Sequence, residues 1–237
     1  DYGIRCTFNL NSGNIGGNSA KVQFEELEAL YKGHEIASHS YTHPHLDYLD
    51  SGEIAYQIIK DRETLEEKLC KIVRGFAYPF GLSETAGMVD CIGKCGIRYA
   101  RTTIASHNFE LPADYLRWNP TCHHADREFP RLAEAFFEPD DTEHPWRIRP
   151  RLFYIWGHSY EFKDKWGNLE KLCETVGRKK NVWYCTNMEL IDYISAFERL
   201  EYSANGKIVY NPTSADLYAV ADGKEIIIKK GETLFFE

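Results

Sequence analysis

No stretch of the 237-residue chain approaches about 18 consecutive apolar residues, which excludes a membrane-spanning helix. A cationic excess is missing too: 28 Lys plus Arg stand against 36 Asp plus Glu, a formal net charge of −8. Without a cationic footprint, nucleic-acid binding is excluded as the main activity. Internal repeats at solenoid periods and low-complexity runs are absent, so neither an array nor a compositional linker is expected. With 43% hydrophobic and 27% charged residues, the composition is that of a folded globular chain. A chain of this size buries roughly 70% of its unfolded surface and needs no cross-links to fold. Aromatics are plentiful, with 15 Tyr and 5 Trp. Such residues line sugar sites and fill cores alike, so their number alone does not discriminate.

The seven cysteines lie at positions 6, 70, 91, 95, 122, 173 and 185, an odd number. Only Cys91 and Cys95 are close, and no second pair follows at zinc-ribbon spacing. Buried free thiols are therefore expected, and a reducing, cytoplasmic compartment is the direction in which they lean. The chain opens at Asp1, not Met, almost directly on a strand, and so reads as a fragment or as a chain whose leader was removed. Oligomeric state is not legible.

Strands are expected at Ile4–Leu10, Glu35–Ser38, Gly75–Tyr78, Tyr99–Thr103, Leu116–Pro120, Leu152–Gly157 and Val182–Thr186, from their β-branched and aromatic content and their Gly and Pro borders. Helices are expected between them, at Val22–Lys32, Ser51–Lys71, Glu84–Lys94, Asp126–Phe137, Trp166–Val176 and Met188–Leu200. The long helix sets Ile54, Ile58, Leu65 and Leu69 on one stripe, and Asp50 or Ser51 caps its start. Alternation of this kind predicts an α/β fold of parallel strands with helices outside, a barrel or an open sheet. Beyond about residue 200 the texture changes to short strands, Tyr202–Tyr210, Asp216–Val220, Glu225–Lys229 and Thr233–Phe236, separated by Asn-Gly, Asp-Gly and Lys-Gly steps. The expected division is a body at 1–200 and a small β appendage at 201–237 that carries no catalytic group.

Reacting groups in such folds sit just past the C-terminal ends of the strands. The strand Glu35–Ser38 runs directly into His39, His43 and His45. Imidazoles clustered at a strand end suit a divalent metal, which needs one or two further ligands and an open position for water. A second strand ends at His158, a candidate acid–base group. Cys122-His123-His124-x-Asp126 follows a third strand. Substrate or metal contact is one reading of it, and a helix start capped by Asp126 is the simpler one. Asp47 and Asp50 follow the histidine loop and could serve as ligands, although capping accounts for them. The acidic run Glu138–Glu143 reads as a solvated loop. Tyr78, Trp118 and Trp156 could floor a sugar site or belong to the core.

The segment Gly33 to His43, G-H-E-I-A-S-H-S-Y-T-H, resembles the metal-histidine motif of the polysaccharide deacetylases, the NodB-homology enzymes of carbohydrate esterase family four. Tyr2 to Phe8 resembles their second strand, Phe76-Ala77-Tyr78-Pro79-Phe80-Gly81 their third motif, Trp118 their fourth, and Leu152 to His158 their fifth. The order and spacing agree over about residues 1–200. The resemblance implies a distorted (β/α) barrel, here lacking its first strand, and a divalent metal, zinc first, with cobalt, nickel or manganese as alternatives. It implies hydrolysis of carbon–nitrogen amide bonds, most directly deacetylation of N-acetylated sugars or polysaccharide. His39 and His43 would be metal ligands, His158 the catalytic acid, and Tyr78, Pro79, Trp118 and Trp156 would contact the carbohydrate.

Two departures accompany these matches. The family's Asp-Asp motif, which supplies a base and a metal ligand, would precede Asp1, and Ala77 stands where the family commonly has an Arg. Arg74 or Arg101 could supply that cation. The chain as it stands is therefore expected to be a poor deacetylase. The alternatives are an inactive carbohydrate-binding domain of the same fold, or an amidohydrolase acting on a small non-sugar amide.

Overall fold

A computed structural model describes residues 2–17, 21–81, 85–138, 150–221 and 223–236. The chain divides into two compact units, with a boundary between Thr186 and Asn187.

The first unit is built on parallel strands. β1 (Thr7–Leu10) pairs along its whole length with β2 (Glu35–Ser38), which meets β3 (Gly75–Ala77), and β3 pairs with β4 (Tyr99–Arg101). Beyond β4 the sheet continues through a single connecting segment. Trp118 bridges Arg101, and a few residues later β5 (Cys122–His123) pairs in parallel with β6 (Ile155–Trp156). The result is a curved parallel arc edged by β1 and β6, with no ladder joining those edges among the described residues. All of these strands run the same way, so the segments after β2, β3, β4, β5 and β6 leave from one end of the arc. The N-terminal end is tied by Glu35, whose carboxylate accepts from Thr7 Oγ1 (2.7 Å) and from the Tyr99 hydroxyl (2.8 Å).

Helices cover the arc. α1 (Leu27–Leu30) is shorter than the expected Val22–Lys32, because the Glu26 carboxylate caps the Gln23 amide and a 3₁₀ turn at Phe24–Glu26 occupies the start. α2 (Ser51–Leu69) begins at Asp50, whose side chain accepts from the Glu53 amide while Glu53 accepts from the Asp50 amide, a reciprocal cap. α3 (Ala86–Lys94) starts at Thr85, and Glu84 lies outside the described residues. α4 (Phe129–Phe137) and α5 (Trp166–Val176) follow. The core is formed by Ile54 and Ile58 of α2, Phe76 and Tyr78 around β3, Met88, Val89 and Ile92 of α3, and Ala100 of β4. Leu27, Leu65 and Val73 centre a second cluster under β1 and β2.

Two expected strands do not form. Leu116–Pro120 is not a strand: a 3₁₀ turn at Tyr115–Arg117, capped by Asp114, precedes the single bridge at Trp118. The fifth strand is instead β5, two residues long. Val182–Thr186 is extended but joins no ladder. Its Tyr184 hydroxyl donates to Val176 O and accepts from the Lys179 amide, pinning the segment to the end of α5 through a side chain. The acidic run begins with Glu138 at the end of α4, and its remainder lies outside the described residues. All seven cysteines are free thiols, although Cys6 and Cys70 are exposed.

The second unit contains α6 (Asn187–Phe197), so the compact boundary takes the last helix along with the strands. β7 (Glu201–Tyr202), β8 (Ile208–Tyr210) and β11 (Thr233–Phe235) form one antiparallel sheet, and β9 (Leu217–Ala221) pairs with β10 (Lys224–Ile228) in another. The Asn205-Gly206 step splits the expected Tyr202–Tyr210 run into β7 and β8, with Gly206 at positive φ. Leu200, Val209, Leu217 and Ile228 make its core.

One buried carboxylate organises the end of the first unit where β2 finishes. Asp61 of α2 is 0% exposed. It accepts from the Ser12 amide and hydroxyl (both 2.6 Å), the Ser38 hydroxyl (2.5 Å) and the His39 amide (3.2 Å). Burial raises its pKa, and these donors oppose the rise. Removing the carboxylate orphans several buried donors at once. Asp61→Ala should therefore lose about 2–4 kcal/mol of stability in urea unfolding, and a loss below about 1 kcal/mol would show that the network is dispensable.

Candidate functional site

His39 leaves the end of β2 with its ring nearly buried. Its Nδ1 lies 2.7 Å from the Ala77 carbonyl at the end of β3. A carbonyl can only accept, so Nδ1 carries the proton and Nε2 keeps its lone pair for another partner. Burial drives the His39 pKa down to about 3, with smaller contributions from the nearby His43, Arg101 and His158. The ring is therefore neutral near pH 7.

His43 is folded back towards His39 by a tight turn. Ser40 and His43 adopt φ of 67° and 62°, in the left-handed region that side chains rarely enter. The turn is held on every side. Asn11 Nδ2 donates to the carbonyls of His39 and Ser40, Ser40 Oγ accepts from the His43 amide, the Tyr41 amide donates to Gln57 O, and Gln57 Oε1 accepts from the Thr42 amide. The two imidazole centroids end 4.6 Å apart, edge to face. Burial also lowers the His43 pKa, assisted by His158 and His45. His158 acts electrostatically on both rings, so the three histidines expected from the sequence share one neighbourhood.

On the other side of this neighbourhood stands a second cluster. His123 ends β5, His124 follows it, His158 follows β6, and Glu161 lies in the 3₁₀ turn Ser159–Phe162. Glu161 Oε2 is the hub: it lies 3.2 Å from His123 Nε2, 3.1 Å from His124 Nε2 and 3.3 Å from His158 Nδ1, and it accepts from the His158 amide at 2.7 Å. Burial pushes this carboxyl up, but the His158 amide, His124 and the charges of His123 and His158 outweigh it and hold it at about 2. A Cβ on Gly157 would lie 2.2 Å from His124 Cδ2, so the residue before His158 has to be small for His124 to reach Glu161. Neither Glu161 nor Asp61 was expected from the sequence, and Asp126 does not cap the helix: α4 begins at Phe129 with Glu128 at its N-cap and no side-chain cap. Asp126 does hold the Glu128 amide and His107, but His123 and His124 turn to Glu161.

Arg101, at the end of β4, is the buried cation of this region. Its guanidinium lies 4.5 Å from the Trp156 ring and donates to Thr102 O. Arg74 precedes β3, at the opposite end of that strand from Ala77. Trp156 is part-buried beside His123 and His158. Trp118 and Tyr78, by contrast, are each 1% exposed. Trp118 packs on Tyr99, Tyr115 and Tyr154, and the Tyr78 hydroxyl donates to Leu116 O. Neither offers a face to a substrate, which corrects the expectation for these two residues. Pro79 is buried in the turn after β3 and projects Phe80, which is 51% exposed, stacks on His45 at 3.7 Å and meets His43 edge-on. Asp47 faces His45 and Asp50 caps α2, so neither joins His39 and His43.

Residues 1–100 match the sequence model of the family described as polysaccharide deacetylase. The uncharacterized protein YlxY of Bacillus subtilis (strain 168) is 31% identical over 111 residues, which are 46% of this chain and 33% of that protein. Among solved structures, the Streptococcus pyogenes deacetylase PplD in complex with acetate is 17% identical, with 48% of this chain and 50% of that chain covered and a TM-score of 0.44. BA3943 of Bacillus anthracis, described as a CE4 family pseudoenzyme, is 19% identical, with 80% and 56% covered and a TM-score of 0.48. The chain thus spans a third of the length of its curated relative and about half that of these solved structures.

The depressed His39 pKa has a definite sign. The unfolded ring binds a proton near pH 6.5 and the folded one only near 3. His39 therefore contributes stability that is present above about pH 6.5 and lost as pH falls towards about 3. Between about pH 7 and about pH 4.5 the wild type should lose about 2 kcal/mol more than His39→Gln in urea unfolding. Equal losses in the two proteins would remove the assignment.

Proposed function

We propose that this chain forms the metal-dependent hydrolytic body of a deacetylase that cleaves carbon–nitrogen amide bonds in N-acetylated sugars or polysaccharide. The observation that carries the reading is the His39–His43 pair, whose ring centroids lie 4.6 Å apart just past the end of β2, in a chain whose residues 1–100 match the polysaccharide deacetylase family model. The donor set suits a divalent ion such as zinc. The Ala77 bond leaves His39 Nε2 open, and His43 is turned beside it. When bound, such an ion would polarise the amide carbonyl and acidify a water.

The chain's own residues supply the rest. His158 delivers a proton to the departing amine, and the ionised Glu161 beside its Nδ1 compensates the charge that the ring carries when protonated. Arg101, stacked under Trp156, fixes that indole as one wall. The exposed Phe80 ring offers an apolar face on the His43 side, suited to stacking a sugar ring. Among the described residues no carboxylate joins His39 and His43, which supports binding without turnover as the second reading.

The test is hydrolysis of N-acetylated oligosaccharides by the full-length protein with added zinc or cobalt. His39→Ala/His43→Ala should abolish turnover, and His158→Ala should lower kcat by about 10²–10⁴ with a smaller change in KM. Sugar binding without any hydrolysis by the unmutated protein would favour the second reading and overturn the first.

A further inference from the structure

We infer that His123, His158 and Glu161 form a second divalent-cation site, distinct from the His39–His43 pair and independent of the hydrolase reading. One ligand atom from each lies within 4.8 Å of the others, and this is the one such group of three among the described residues. The spacing suits an ion. Bonds of about 2.1 Å in a tetrahedral site place neighbouring ligand atoms roughly 3.4 Å apart. Glu161 Oε2 stands 3.2 Å from His123 Nε2 and 3.3 Å from His158 Nδ1.

A second observation points the same way. His158 Nδ1 is shielded from solvent and has no hydrogen-bond partner, because its approach to Glu161 lacks hydrogen-bond geometry. A buried polar atom of that kind is costly unless something is there to meet it. Glu161 is ionised and is oriented from behind by the His158 amide and His124, the support a ligand carboxylate needs. Two imidazoles with one carboxylate select a borderline ion such as zinc, and the carboxylate supplies the charge compensation that His39 and His43 lack. The local cost is at His123, whose Nδ1 accepts the Ala125 amide at 3.2 Å. Coordination through Nε2 moves the ring proton to Nδ1 and releases that exposed amide to water. In the deacetylase, an ion on His158 Nδ1 would exclude the extra proton from that nitrogen, so excess cation would inhibit.

The experiment measures Zn²⁺ binding to the full chain. His39→Ala/His43→Ala should retain one bound zinc, and adding Glu161→Gln should weaken that residual binding by about tenfold or more. Imidazole ¹⁵N spectra of the unmutated chain test the site without any substitution. Zinc should shift His123 and His158, and leave unmoved His34, whose Nδ1 accepts the Cys6 amide at the far end of the arc. Loss of all zinc from the His39/His43 double variant, unchanged affinity on adding Glu161→Gln, or unmoved His123 and His158 resonances would each overturn the proposal. Hydrolysis is read separately, so either idea can fail while the other stands.

Discussion

The geometry of the histidine turn depends on a carboxylate that does no chemistry. Asp61 reaches from the buried stripe of α2 to the end of β2, where it holds Ser38 and the His39 amide, and to the Ser12–Asn14 turn after β1. One group thus fixes a helix to the outlets of two adjacent strands. The strained Ser40 and His43 conformations persist because their surroundings leave them no alternative, with Asn11 on one side and Gln57 on the other. The neutral His39 ring follows from the same burial: a site dry enough to keep Asp61 among donors also disfavours an imidazolium one residue beyond the strand.

The parallel arc carries this constraint to the second cluster. The Trp118–His123 segment touches β4 at its start and β6 at its end, so it sets His123 and His124 beside the residues that follow Trp156. Two-residue strands suffice because the aromatic packing of Trp118 against Tyr99 and Tyr154 fixes the segment on both sides. The bulk of Trp118 is thereby spent on the arc, and the exposed aromatic surface of the region passes to Phe80.

His39 and His158 stood out in the sequence because each lies at the end of an expected strand, and His43 because it shares the short loop after His39; strand-end positions in a parallel fold leave from one end. The long helix was legible from its stripe and its Asp50 cap. The short strands were not: β5 has two residues and no alternation to read, and Val182–Thr186 has the composition of a strand but joins no ladder among the described residues, its Tyr184 hydroxyl bonding Val176 O at the end of α5. Asp61 did leave a signal, a carboxylate set on the stripe Ile54, Ile58, Leu65 at helical spacing. A charged residue on a buried stripe requires buried partners, and the partners were far away in sequence. Glu161 left one too, in the three-residue spacing from His158 that lets a carboxylate return to the preceding amide. What that spacing could not convey is that His123 and His124, some forty residues earlier, would converge on the same oxygen.

The two halves of the site differ in electrostatic character. His39 is a nearly buried imidazole near the Arg101 cation and His43 a part-buried one, with no carboxylate joining them among the described residues. His123, His124 and His158 surround an anion held ionised far below the usual carboxylate range. A dication is stabilised by negative charge, and the Glu161 cluster supplies one beside its imidazoles. In the proposed deacetylase, the Glu161 carboxylate that would support His158 as an acid would also attract an ion to it, and metal occupation of that imidazole would set what this end of the arc can do.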